Sequence, residues 1–181
     1  MPEAPVLPDL LEPGLTVVFC GTAAGTLSAK LGQYYANPQN KFWRTLHATG
    51  LTPRLFAPHE YRELLKLGIG ATDIAKHASG MDHNLPKDAL GRAAIDDLRI
   101  RIAAAWPKIL AFTSLAGGRK FLGPKVKHGK QRGMLGDTAI WVLPSPSPVA
   151  QTSWNESVWH ALAKDVAAYR NGGLEYPEGA S

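Results

Sequence analysis

The sequence predicts an α/β fold, a three-layer sandwich in which a central four-stranded parallel sheet lies between helices, built as one domain over residues 1–181. Three observations carry that prediction. Short, near-continuous apolar runs such as Leu15–Cys20 (LTVVFC) have the pattern of strands covered on both faces. These runs alternate along the chain with stretches of helical period, the order of a layered parallel sheet. The 18 glycines and 14 prolines stand mainly at the ends of runs, where they punctuate elements.

Taken in order, Leu15–Cys20 is the first strand, expected to break at the small-residue turn Gly21-Thr22-Ala23-Ala24-Gly25. A polar and aromatic loop follows, closing on a short helix over Phe42–Thr49 that Gly50 stops. Pro58–Leu67 reads as a second helix with Tyr61, Leu64 and Leu65 on one side, and Gly68–Ile74 (GIGATDI) as a second strand. Lys87–Trp106 is the longest helix: Leu90, Ala94, Leu98 and Ile102 recur every fourth residue, Trp106 extends the stripe, and Pro107 ends it. Lys108–Ser114 is a third strand and Leu115–Phe121 a helix after it. Ile140–Leu143 is a fourth strand, running into Pro144-Ser145-Pro146-Ser147-Pro148. Ser153 and Glu156 have capping-box spacing and open a last helix with Val158, Leu162, Val166 and Tyr169 on one face, stopped by Gly172-Gly173. The ordered core is expected over about residues 15–170, with loose tails on either side.

Composition narrows the function classes. A hydrophobic content of 45% and a charged content of 19% are those of a soluble globular domain. No apolar stretch approaches the ~20 residues of a bilayer span, and Met1–Pro13 lacks the basic-then-apolar pattern of a signal peptide, so a cytoplasmic location is expected. The single cysteine, Cys20, excludes an internal disulfide, a four-cysteine zinc site and a cysteine-ligated iron–sulfur cluster; at the end of an apolar strand it reads as a core side chain. A net charge of +5 suits a polyanionic partner. Lys120, Lys125, Lys127, His128, Lys130 and Arg132 crowd among glycines into a basic loop suited to following a phosphate backbone.

Four segments fall at carboxyl ends of strands: Gly21–Gly25, Thr72-Asp73, Thr113-Ser114 and Pro144–Pro148. In an open α/β sheet they share one rim, the place for a ligand. A nucleotide cofactor does not fit it. Gly21 and Gly25 are not spaced as GxGxxG, no GK[ST] follows, and Gln39-Asn40 stand where a ribose-binding carboxylate is needed.

Three of the rim segments carry a resemblance. Gly21-x-x-x-Gly25 followed by Tyr35-Ala36-Asn37-Pro38-Gln39-Asn40-Lys41-Phe42-Trp43, then Gly68–Asp73, then Trp141-Val142-Leu143-Pro144-Ser145-Pro146-Ser147 resemble the uracil-DNA glycosylase superfamily, from about Leu15 to Tyr169. The likeness is closest to its mismatch-specific uracil/thymine branch. The resemblance implies the superfamily's parallel sheet between helices. It also implies a monomeric repair enzyme needing no metal or cofactor, which flips uracil out of DNA and hydrolyses its N-glycosidic bond. Free uracil and an abasic site would be the products.

Residue by residue, the resemblance implies that Tyr35 stacks on the base, that the backbone at Thr22 lies beside it, and that Asn40 and Trp43 brace the loop. Ser28 and Gln33 would help hold the base, while Ser147 and Val149 fall on the loop that enters the DNA. Lys127, Lys130 and Arg132 supply the phosphate contacts read from the basic loop. Ala23 departs from the pattern, standing where the family carries the Asn or Asp that holds the attacking water. Ser145 stands where a His or Asn would stabilise the leaving base; it can donate a hydrogen bond but carries no charge. Asp73, at the end of a strand, is the candidate to take over the chemistry. Ionised, it would orient water, stabilise the sugar cation or accept the N3–H of uracil. His77 and His83, on the segment after it, are candidate substitutes for the missing histidine. Three alternatives stay open: action on hypoxanthine or xanthine, action on mismatched thymine, and a non-catalytic binder of DNA or uracil, as Ala23 would suggest.

Overall fold

The computed structural model describes residues 4–171. Its strands are β1 (Val17–Ala24), β2 (Ile69–Ser79), β3 (Ile109–Phe112), β4 (Gly129–Leu135) and β5 (Thr138–Val142). They form one sheet in the order β2-β1-β3-β5-β4. β2, β1, β3 and β5 are mutually parallel, as expected, and β4 adds a fifth, antiparallel strand beside β5. The helices are α1 (Thr26–Leu31), α2 (Phe42–Ala48), α3 (Arg92–Ala105), α4 (Leu115–Leu122) and α5 (Glu156–Arg170).

Alternation along the central strands explains the two helical layers. Val17 and Phe19 of β1, with Ile109 and Ala111 of β3, join Phe42, Trp43 and the α5 residues Trp159, Leu162 and Val166 in one core. Val18 and Cys20, with Leu110 and Phe112, join Leu98 and Ile102 of α3 and Phe121 of α4 in the other. Successive side chains of a strand point to opposite faces, so an apolar run is what a doubly covered strand requires. No helix among the described residues is long and apolar enough to cross a membrane.

Several boundaries differ from the sequence expectation. The basic loop is in part an edge strand: β4 pairs from Gly129 opposite Val142 to Leu135 opposite Thr138. Being glycine-rich and mostly exposed, it has no apolar face to mark it. Pro58–Leu67 winds as 3-10 turns, with Tyr61 and Leu64 buried. α3 starts at Arg92, after Gly91, and stops at Ala105. Trp106 does not continue the stripe: it turns left-handed at φ 32 and lies exposed, because the following Pro107 disfavours the helical region for it. α5 is capped by Asn155, whose side chain accepts from Ser157 N, and not by Ser153, which belongs to a 3-10 turn over Pro148–Ser153. Gly172-Gly173 and the tail beyond lie outside the described residues.

Two differences bear on function. The expected turn at Gly21–Ala24 is strand. β1 leaves β3 after Cys20 pairs with Phe112 but continues along β2, Gly21 opposite Asp73 and Ala23 opposite Ala75. The ordered core also begins before residue 15. Residues 6–10 form a strap along the outer edge of β2, with Val6 N donating to Lys76 O (2.7 Å) and Leu10 and Ala71 exchanging backbone bonds. The strap depends on Gly70, since a Cβ there would lie 2.4 Å from the Leu10 carbonyl oxygen.

Candidate active site

The carboxyl ends of β1, β2, β3 and β5 open onto one cleft of about 770 Å³. Because β1 outruns β3, its last residues hang beside β2 as a wall. Gly21, Thr22 and Ala23 line it, with Asp73 beside them and Thr113, Ser114 and Ser145 from the other strand ends.

Asp73 is the charged group of the floor. It is 5% exposed, and its carboxylate oxygens receive no hydrogen bond from any described residue. Its Oδ1 lies where a Cβ on Gly21 would be, 2.6 Å from that position, so only glycine opposite it leaves room. Burial pushes its carboxyl up to about 6; Lys76 and Arg101 pull the other way and Asp9 adds to the rise. Near neutral pH the ionised form therefore predominates, close enough to its midpoint to exchange a proton with water.

Tyr35 shares this end of the cleft. Its hydroxyl is 3.0 Å from Thr113 Oγ1. Its ring stacks on Phe42 at 3.9 Å between centroids and 19° between planes. The backbone there is left-handed at φ 50, a costly conformation for an aromatic residue. Neighbours hold it in place: Ser28 Oγ accepts from Ala36 N (3.0 Å), and Trp43 Nε1 donates to Tyr34 O (3.1 Å). Asn40 Oδ1 accepts from Phe42 N (2.9 Å), fixing the start of α2 beside the cleft. Burial raises the Tyr35 phenol above its ordinary value, and Asp73 adds to the rise.

The remaining expected residues divide. Thr22 lines the cleft and donates to Asp82 Oδ1 (2.6 Å), tying the end of β1 to the loop after β2. Ser28 is buried and engaged with the Tyr35 loop. Ser145 is half-buried, and its Oγ accepts from Ser147 N (3.2 Å), which leaves its own proton to donate. Ser147 Oγ accepts from Val149 N, and Val149 projects at the rim, 71% exposed. His83 stands at the rim, whereas His77 and Gln33 do not line the cleft. Gln33 follows the αL residue Gly32 at the end of α1, and only its backbone N–H, donated to Ser28 O, serves the loop. Lys127 lies at the cleft end of the β4–β5 hairpin, next to His128, which lines the cleft. Lys130 is engaged by Asp165 (3.1 Å), and Arg132 lies further down the edge.

The comparisons with known proteins fit this geometry. The model of the uracil DNA glycosylase superfamily matches residues 8–164. The chain belongs to that superfamily. That superfamily is one of DNA glycosylases, which act on DNA. Among solved structures, the chain is similar in fold to the solution NMR structure of a Methanosarcina acetivorans protein proposed as a uracil DNA glycosylase. The TM-score is 0.60 at 24% identity, over 89% of this chain and 96% of that one.

Sequence reasoning missed Gly21 as the seat of the carboxylate and Thr113 as the partner of Tyr35. It also missed the strap. Thr113 had a signal, a hydroxyl directly after an apolar strand at the ligand rim. Gly21 was visible only as a turn residue, and its pairing with Asp73 needed the register.

Proposed function

We propose that this glycosylase acts in base excision repair, flipping uracil out of DNA into the cleft and hydrolysing its N-glycosidic bond with Asp73 as the working carboxylate. The observation that carries the reading is Asp73 itself: a buried carboxylate without a protein hydrogen-bond donor, opposite a glycine that leaves it room, at the carboxyl rim of a superfamily fold. Ala23 has no side chain to hold water, so the task passes to the next strand.

In this reading the C1′–N bond breaks with its electron pair leaving on the base, and positive charge builds on the sugar. The Asp73 carboxylate lowers the energy of that charge and aligns a water whose oxygen bonds to C1′. The water's proton goes to Asp73 and then to solvent. The ring of Tyr35, backed by Phe42, offers its other face for stacking, a contact worth ~1–3 kcal/mol. The Ser145 hydroxyl and backbone near Thr22 donate to the departing base. Val149 enters the gap left by the flipped nucleotide, and Lys127 with the lower edge of β4 follows the phosphates.

The test is base release from strands and duplexes carrying uracil, mismatched thymine, hypoxanthine or xanthine, read after alkaline cleavage of abasic sites. Release of uracil is expected, with Asp73→Ala slower by about 10²–10⁴-fold. Release of only a purine would move the reading to hypoxanthine or xanthine. DNA binding without release of any base would make the chain a binder.

A further inference from the structure

Behind Asp73, on the side away from the cleft, lies a compact set of charges that base removal does not directly use. Asp9, on the strap, accepts from Thr72 Oγ1 (2.6 Å) and pairs with Lys76 Nζ (2.7 Å) and Arg101 Nη1 (3.3 Å). Arg101 also donates to Thr72 Oγ1, and its Nη2 donates to the Asp73 carbonyl oxygen (3.1 Å). Lys76 Nζ is 3.5 Å from Tyr34 Oη. The side chains of Lys76, Arg101 and Asp9 are 8%, 16% and 22% exposed. Such a set is costly to bury, because each charge gives up its hydration.

The count of charges explains why it persists. Two largely buried cations face one carboxylate; the ionised Asp73 is the second anion that balances them. Asp97, the remaining partner of Arg101, is 58% exposed and mainly solvated. The other titratable groups near Asp73 are neutral: Tyr34 and Tyr35 from the loop before α2, and Cys20 from β1, all pushed up by burial. Asp82 and His83 stand at the rim in solvent. The charge that Asp73 carries is therefore set from behind, by three elements: the strap, β2 and α3.

We propose that Lys76, Arg101 and Asp9 are positioning residues for Asp73. The two cations hold its carboxylate ionised and its strand in place, and the strap's Asp9 limits how strongly they do so. This rests on Asp73 being the working carboxylate. Lys76 and Arg101 lower the carboxyl's proton affinity while Asp9 raises it. Removing either kind of charge should therefore move Asp73 in opposite directions, a result that loosened packing cannot mimic.

The experiment measures single-turnover base release against pH for the wild type, Lys76→Gln and Asp9→Asn. In parallel, the Asp73 carboxyl is titrated by carbon NMR in each protein. The wild-type rate should rise with pH through a midpoint of about 6. In Lys76→Gln both midpoints should move up by roughly one pH unit, and in Asp9→Asn down by a comparable amount. Carboxyl midpoints that stay put, or move the same way in both variants, overturn the proposal. Thermal melts show whether each variant is folded, and Arg101→Gln, expected to shift upward, replaces Lys76→Gln if that protein does not fold. If the carboxyl titrations split as expected while the rate profiles ignore them, the positioning role stands and the catalytic reading of Asp73 falls.

Discussion

The two walls of the cleft are built on opposite plans. The β1–β2 wall carries a buried carboxylate seated over a glycine, with paired charges behind it. The wall after β5 is Pro144-Ser145-Pro146-Ser147-Pro148, without a charge. It is held through its own carbonyl oxygens: Trp159 Nε1 donates to Pro144 O (3.0 Å) and Lys41 N to Pro146 O (2.9 Å). One wall concentrates buried charge at the floor of the cleft; the other is a frame offering hydroxyls and an exposed Val149. The difference teaches that a segment without a polar side chain at Ala23 can still face a carboxylate, because the neighbouring strand holds one opposite Gly21, two residues before Ala23.

That contrast can be broken most directly at Gly21. Gly21→Ala puts a methyl 2.6 Å from Asp73 Oδ1, so the carboxylate must move. Base release should fall about 100-fold, the cost of a misplaced reacting group, measured under single-turnover conditions. An unchanged rate would mean that the position of Asp73 does not matter.

Stability offers a second, independent break. The Asp73 carboxyl rises from an ordinary 3.8 to about 6 on folding, so its contribution is fully present below pH 4 and lost as pH rises through about 6. Asp73→Asn, which cannot ionise, should therefore be more stable than the wild type by about 2–3 kcal/mol at pH 7.5. Urea unfolding at pH 7.5 and at pH 4 checks this, and the gain should vanish at the lower pH. The smallest effect belongs to the framing wall: Ser145→Ala should slow release less than about tenfold and leave the pH midpoint where it is. A large shift of that midpoint would give the proline wall a share in the charge chemistry.

Much of this was legible beforehand, and the failures have physical causes. The central strands were readable because both faces are buried, which forces apolar residues at every position. β4 was not: an exposed edge strand of glycine and basic residues has the composition of a loop, and its basic side chains also discourage edge-to-edge pairing. Gly21–Ala24 read as a turn because small residues permit one, but the longer β2 supplies the partner that keeps it extended. Asp73 stood out as a polar residue near the end of an expected strand, and Tyr35 through the Tyr35–Trp43 motif that carries the resemblance. Asp9 did not, because a proline-flanked aspartate near a terminus looks like tail until the strand it crosses is known. Gln33 failed for the converse reason: proximity in sequence to the loop did not bring its side chain to the cleft.

The strap has one more consequence, in the order of assembly. Asp9 must wait for a threonine 63 positions later and an arginine 92 positions later before its bonds can form. Contacts of such sequence separation repay their loop closure late in folding. They also lie at one edge of the sheet, where a local opening need not disturb either core. Hydrogen exchange at Val6 and Leu10 should accordingly run ahead of exchange in β1 and β3. A molecule with its strap released would keep its sheet and its cleft but lose Asp9, the anion that offsets Lys76 and Arg101. Sheet formed and strap closed are then two separate events, the second confined to residues 6–10.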